Sequence, residues 1–470
     1  MKRTLLIVLL LIPTLGFANP STNNVLSTKI NNLLKDFGDT VSIGIQVTDP
    51  KTGKTLYRKN ADHYFMPASN EKLFTATAAL TSLNENFTYK TQLFADVTKI
   101  NNGILNDNIY LKFSGDPTLT LAQLDNLIGA LAQAGVRKIN GNVVIDDSAF
   151  DQMSMSPGST WDDKDYCWGS PIHAIIVEHN CVKATLTPAA SFEQLAILSL
   201  PAYPQSLQFI NNAITRAPDV TDCVAEAKRT SPTNYTIAGC ITQAKDIEMA
   251  IDNPRSNIQF LLNFLLNKHQ IINTNSFEFK KIDLPPALLA SAESPPLANL
   301  VTTMLKESDN TIANSLFKTM GSIYAKDSGT FQNGSEAVRN IVNTSIPLDI
   351  PKTTLIDGSG ESRYDFIKPQ QIVTLLQKMY SSNQAVFFIH ALPIGGIDGT
   401  LKERMKDPTT LGKVYAKTGS ETAVSTLSGY LETKKKNTLI FSIMINGFVD
   451  TPSKYQDLED KICAAIIAAT

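Results

Sequence analysis

The feature that most constrains the fold is a change of texture along the chain: two similar ends enclose a middle that reads differently. Near the start, Val25, Ile30, Leu33, Leu34 and Phe37 recur at helical spacing, and Gly38 closes that helix. Ser42 to Val47 alternates as a strand, turns through Asp49-Pro50-Lys51-Thr52-Gly53 and returns over Thr55 to Arg58, which predicts a hairpin. Pro67 introduces a helix over Ala68 to Leu83. Helical periodicity returns over Leu297 to Met320. The chain then ends as strands Lys413 to Lys417, Val424 to Leu431 and Thr438 to Ile445, followed by a helix over Ser453 to Ala468. Between the ends, from about Tyr89 to Pro296, lie short strands, turns and isolated helices (Thr120 to Ala134, Asn257 to Asn267), with Pro-rich breaks at 200–204 and 284–286. The expectation is an α/β (α+β) protein in which a mostly β-rich middle is inserted into a domain built from both ends. No internal repeat is found.

At 470 residues the chain is long enough for two or three domains with their own cores. Its 43% hydrophobic and 18% charged content is that of a globular protein. A formal charge of −2, without a basic excess, argues against a nucleic-acid partner. Lys2 and Arg3, the apolar run Leu5 to Leu11 and the small-x-small site Gly16-Phe17-Ala18 predict a secretory signal peptide over 1–18. Its apolar run is too short to span a bilayer, no Cys follows the site as a lipid anchor would need, and no later stretch reads as a membrane span. The expected destination is the periplasm or another extracytoplasmic space, as a soluble protein. Such a compartment permits disulfides. Five Cys allow several pairings; proximity in sequence favours Cys167 with Cys181 and Cys223 with Cys240, leaving Cys463 free and buried.

Ser69-Asn70-Glu71-Lys72 opens the helix that follows Pro67. Positions i and i+3 share a helix face, so an uncharged Lys72 amine can take the Ser69 proton. A Ser in the first turn also keeps its own N–H free to hold an oxyanion. The pattern alone is common, and Ser315-Leu316-Phe317-Lys318 repeats it. Two further elements give it meaning. Ser308-Asp309-Asn310, in a helical region, offers a hydroxyl to relay a proton and an amide to orient substrate. Lys417-Thr418-Gly419, on a strand, offers a clamp for a carboxylate and a Gly that lets a substrate backbone pass close. A second cation near Lys72 is expected to lower its pKa towards that of a usable base. Lys51-Thr52-Gly53 copies the third element, but it sits in the hairpin turn and precedes any nucleophile. Ser315 lies on the helix of the second element and is the poorer nucleophile.

The triple Ser-x-x-Lys, Ser-Asp-Asn and Lys-Thr-Gly occurs in penicillin-binding proteins and class A β-lactamases. With it run Ser114-Gly115-Asp116-Pro117-Thr118-Leu119, the stretch Ile139 to Asp147, Asp357-Gly358-Ser359-Gly360, Ser362-Arg363, the stretch Leu392 to Leu401, and Leu427-Ser428-Gly429-Tyr430. On these the chain resembles the class C low-molecular-mass penicillin-binding proteins, the D-alanyl-D-alanine carboxypeptidase/endopeptidase family of serine peptidases. The long interval between Lys72 and Ser308 matches that family's inserted domains. The resemblance implies a transpeptidase-like catalytic domain over 19–88 and 300–470, one inserted domain over 89–118 and 196–299, and another over 119–195. It implies that Ser69 is acylated with Lys72 as base, Ser308 passes a proton to the leaving D-alanine, and Asn310 binds the peptide backbone. Lys417 and Thr418 would bind the terminal carboxylate beside Gly419, and the N–H groups of Ser69 and Ser420 would form the oxyanion hole. Asp163 and Arg363 match the residues with which relatives hold the amino and carboxylate end of a diaminopimelate side chain. Glu361 and Glu421 depart from the family, which commonly has Leu or Met there; Glu421, next to the oxyanion residue, is expected to favour a cationic side-chain end. The resemblance thus implies peptidoglycan stem peptides as substrates, β-lactams as covalent inhibitors, and no cofactor or metal.

Other groupings read more plainly as structure. His173, Glu178, His179 and Cys181 fit no standard zinc spacing. His63, His269 and His390 lack a triad motif. Gly358-Ser359-Gly360 suits a tight turn, and Lys434-Lys435-Lys436 a solvated hairpin loop. Two alternatives stand beside the peptidase: a β-lactamase, for which Glu336 to Asn340 is only an echo of the deacylation motif, and an idle wall-binding protein, which has no need of a Ser–Lys pair.

Overall fold

The computed structural model describes residues 22–38, 40–346, 348, 350–351 and 354–470. The leader expected at 1–18 lies outside the described residues. Both ends of the chain meet in one antiparallel sheet. β1 (Ser42–Thr48) and β2 (Thr55–Lys59) come from the first end, and β3 (Val414–Glu421), β4 (Val424–Glu432) and β5 (Thr438–Asn446) from the last. Their order is β3-β4-β5-β1-β2, so β1 against β5 is the seam and β3 is an edge.

Strand side chains alternate between faces, and here both faces are covered. Ile43, Ile45, Leu427, Leu431, Ile443 and Ile445 share a core with Leu26 and Ile30 of the helix Thr22–Leu34 and with Ile462 and Ile466 of the helix Pro452–Ala469. Tyr430, Ile440 and Met444 face the other way, into a core with the helices Lys72–Ser82, Leu297–Lys306, Asn310–Ala325 and Pro369–Tyr380. Double coverage explains why every residue of β4 except Glu432 is buried.

The single periodic stretch predicted over 297–320 is two helices, broken at 307–309. Asp309 is the reason: its carboxylate accepts the Ile312 N–H at 2.8 Å as an N-cap, and Ser308 turns the corner at φ 61°. Both helices feed one core, so apolar spacing runs on through the break. The Ser-Asp-Asn element therefore sits on a corner instead of within a helix. The helix predicted over 68–83 likewise starts with a tight turn, Ala68–Glu71, before its α-helical part begins at Lys72.

The middle of the chain has two further cores, and they divide it differently from the expected boundaries. One joins Leu93 to Ile145, Ile175 and Val177 with the helix Pro254–Lys268 and Ala292; it includes the helix Leu121–Gln133. The other lies wholly within 182–251. Residues 119–145 thus pack with the domain expected to begin at 89, and 196–251 pack with 182–186. The Thr120 capping box gives the helix 121–133 a strong start, and its apolar face then matches the sheet of 90–145. Phe150, Ile172 and Ala174 belong to the core that holds the helices Lys72–Ser82 and Asn310–Ala325, so the stretch between them lies along the domain built from both ends. The disulfides Cys167–Cys181 and Cys223–Cys240 are formed as local pairing predicts, and Cys463 is free and buried. No described helix is long and apolar enough to cross a membrane.

Candidate active site

Ser69 is the half-exposed member of an otherwise buried turn, Ala68 to Glu71. Ala68 takes φ 45°, a left-handed conformation unusual for a residue with a Cβ, and surrounding contacts hold it there. The Asn70 amide donates to the Lys417 carbonyl at 3.2 Å and to Thr426 Oγ1 at 2.7 Å. Thr426 in turn donates to the Pro67 carbonyl at 2.8 Å, and Asn446 pairs with both the N–H and the carbonyl of Met66. The turn that carries Ser69 is therefore fastened to β3, β4 and β5. A Cβ at position 419 would come within 2.8 Å of the Pro67 carbonyl and 3.0 Å of the Ser69 nitrogen, so glycine is required for the strand to lie this close.

Lys72 is fully buried, and its Nζ is 2.9 Å from Ser69 Oγ, 2.6 Å from Asn310 Oδ1 and 2.8 Å from the Ser359 carbonyl. All three direct partners are uncharged. Burial brings the Lys72 ammonium down to about 8, against the pull of Glu361, Asp357, Asp309 and Glu421, which favour the charge. The expected source of this lowering was Lys417; the leading cause is burial instead. Lys417 is itself fully buried, bonded to the Thr418 carbonyl at 2.9 Å, and held well below the usual lysine range by burial and then by Lys72.

Of the Ser-Asp-Asn element, Asn310 accepts a hydrogen bond from Lys72, while Asp309 caps the helix. Ser308 is half-buried and has no hydrogen-bond partner among the described residues. Thr418 and Ser420 lie on the edge strand β3, Ser420 exposed and Thr418 bonded to the hydroxyl of Thr400 at 2.7 Å.

The remaining expected residues gather at the open end of β3. Arg363 Nη2 lies 3.3 Å from Glu421 Oε2, and its Nη1 donates to the Thr422 carbonyl at 3.0 Å. Asp163 accepts from the hydroxyl of Thr160 and, at 3.4 Å, from Trp168 Nε1. Burial raises Glu421 to about 7; Arg363 and Lys72 oppose the rise while Asp163 and Asp357 add to it. Glu361 is pushed well above the usual carboxylate range, by burial and then by Asp357. Glu421 faces Arg363, so the cationic substrate end expected at this carboxylate meets an ion pair.

Several supporting groups escaped the sequence reading. Asp357 is the hub: its carboxylate accepts the N–H groups of Ser359, Gly360 and Ser362 and the Ser156 hydroxyl, at 2.6 to 3.0 Å. That loop presents the Ser359 carbonyl to Lys72. Its Asp-Gly-Ser-Gly string was visible, and an acidic residue opening a tight turn was the available signal. Thr400, within the stretch 392–401, had no signal beyond the resemblance. Behind the loop, burial holds Glu71 and Asp365 well above the carboxylate range, each raised further by Asp357.

The decoys resolve. Lys51, Thr52 and Gly53 are exposed in the hairpin turn closed by Asp49. His173 pairs with Asp147 at 3.3 Å, Glu178 caps the helix 121–133 through the Leu121 N–H, and Cys181 is in a disulfide. Among the described residues no group of three or more His, Cys, Asp or Glu is placed to hold a metal ion.

The family profile described as D-Ala-D-Ala carboxypeptidase 3 (S13) matches residues 26–466. The chain belongs to the D-Ala-D-Ala carboxypeptidase 3 (S13) family. It is 27% identical over 440 residues to the D-alanyl-D-alanine carboxypeptidase DacB of Haemophilus influenzae, covering 93% of this chain and 91% of that one. It is 29% identical over 454 residues to the D-alanyl-D-alanine carboxypeptidase of Actinomadura sp. (strain R39), covering 93% and 83%. The crystal structure of penicillin binding protein 4 (dacB) from H. influenzae superposes with a TM-score of 0.81 at 27% identity, over 92% of this chain and 97% of that one. A structure of the same protein complexed with a β-lactam superposes at 0.77. The fold is thus that of a low-molecular-mass class C penicillin-binding protein, and the activity class is that of a serine-type D-Ala-D-Ala carboxypeptidase.

Proposed function

We propose that the chain trims the terminal D-alanine from peptidoglycan stem peptides, or opens D-alanyl cross-links, through an acyl-enzyme on Ser69. The observation that carries this is the 2.9 Å contact between Ser69 Oγ and a buried Lys72 whose direct partners are all uncharged. Neutral Lys72 takes the Ser69 proton as Oγ attacks the penultimate D-alanyl carbonyl carbon. The carbonyl oxygen becomes an oxyanion beside the N–H groups of Ser69 and Ser420. Collapse breaks the C–N bond, and the departing amine receives a proton from Lys72 through Ser308. Water then attacks the ester carbonyl, giving its proton to Lys72 and returning Ser69. Asn310 orients the substrate backbone against edge strand β3. A terminal carboxylate facing Lys417 and Thr418 would draw Lys417 back to its charged form. Asp163, Arg363 and Glu421 meet the neighbouring side chain.

A β-lactam presents its strained amide to the same hydroxyl, and its leaving nitrogen stays tethered, so the ester persists. The two disulfides support a location outside the reducing cytoplasm, in the periplasm. The cores support a catalytic domain over 19–88 and 300–470, with the insertion divided near 181 and 252 instead of at 118 and 195. Labelling intact protein with a fluorescent penicillin and mapping the adduct tests the chemistry. A lasting adduct on Ser69, lost with D-alanine release in Ser69→Ala, is expected. Rapid hydrolysis of the adduct would make the chain a β-lactamase, and unchanged muropeptide trimming by Ser69→Ala would end the proposal.

A further inference from the structure

Residues 417, 419 and 421 of β3 share one face of the strand. Gly419 brings that face against the Ser69 nitrogen, and Glu421 stands at its open end, 23% exposed. Arg363 is engaged twice there, by the Glu421 carboxylate at 3.3 Å and the Thr422 carbonyl at 3.0 Å. Asp163 adds a second carboxylate, set beside Trp168, whose ring stacks on Tyr166 at 4.3 Å. A cationic group arriving here meets the Asp163 carboxylate and a Glu421 carboxylate shared with Arg363, whereas an anionic group finds the guanidinium already taken.

We propose that Glu421 is a displaceable plug on Arg363, so that the site favours substrates whose side chain beside the D-alanyl bond ends in an amine alone over those that also carry a carboxylate there. The inference rests on the acyl-transfer reading above and adds a specificity determinant to it. A substrate carboxylate can seat on Arg363 only by separating the pair. The charged groups facing Glu421 are Arg363, Asp163, Lys72, Asp357 and Glu361. Burial outweighs the two cations and brings Glu421 up to about 7. Above that pH the carboxylate is ionised and the plug closed; below it, protonation removes the charge attraction and opens Arg363.

Two peptides ending in D-alanyl-D-alanine, one with lysine and one with diaminopimelate before them, give the test. The ratio of their kcat/KM values is measured from pH 5.5 to 8.5 with the full chain, so that the titration of Lys72, common to both, cancels. The wild type should favour the lysine peptide above pH 7 and lose that preference towards acid. Glu421→Gln and Glu421→Leu should each shift the ratio about fivefold towards diaminopimelate, the worth of a partly exposed ion pair, and flatten its pH dependence. If both variants keep the wild-type ratio at every pH, the plug is overturned. Penicillin labelling of the same samples separates the two failures: labelled Ser69 with an unchanged ratio defeats the plug alone, while absent labelling of the wild type defeats the acyl-transfer reading.

Discussion

Two serine–lysine pairs with the same spacing occur in this chain, each with a lysine of zero exposure. At the first, Ser69 is half-exposed on a turn, and Lys72 touches a hydroxyl, an amide oxygen and a carbonyl. At the second, Ser315 is buried mid-helix with its hydroxyl unpaired, and Lys318 meets the Asp151 carboxylate at 2.8 Å and the carbonyls of Met153 and Ile172. Burial lowers the Lys318 ammonium and the Asp151 carboxylate in contact opposes the fall, so Lys318 serves as a tie between the helix and the stretch 151–172. Burial lowers both lysines; what separates them is that Lys72 lies 2.9 Å from a half-exposed hydroxyl, while Lys318 is tied to a carboxylate.

Substitution tests that contrast most severely at the first pair. Lys72→Met should cost about 10³-fold or more in D-alanine release, the range for removing a catalytic base, while Ser315→Ala should leave release unchanged. Comparable losses in both would erase the distinction. At the second pair the effect belongs to stability. Lys318→Met removes the charged hydrogen bond to the partly exposed Asp151 and the donor to two carbonyls, and should lower unfolding free energy by about 2 kcal/mol in urea titration, with penicillin labelling retained. The smallest effect sharpens the comparison through pH. With neutral Lys72 as the proposed base, acylation should rise about tenfold from pH 7 to 9, as an amine near 8 loses its proton, and level off above. A flat profile across that range would mean that Lys72 is already uncharged at neutrality.

The sheet and the enclosing helices were legible because each strand and helix carries its own period; β4 and β5 begin at the predicted residues. The break at Ser308 was not, because a capping Asp leaves no mark on apolar spacing. The division of the middle was hidden for a related reason: short strands pair across long intervals, as 143–146 does with 277–279, and local pattern cannot choose partners. At the site, Ser69, Lys72, Asn310 and Lys417 could be read from motif and spacing. Asp357 and Thr400 act through loops, and the Arg363–Glu421 contact joins residues 58 apart in the chain. What a motif names is chemistry; what the fold adds is who neutralises whom.

The Asn310 side chain accepts from Lys72 and donates, through its other atom, to the Trp168 carbonyl at 3.0 Å. One flat, rigid group is thus gripped by Lys72 of the helix Lys72–Ser82 on one side and by the middle segment on the other. The turn around Trp168 and the Lys72 amine thus share one partner. The middle of the chain is thereby tied, through a single amide, to the lysine beside Ser69.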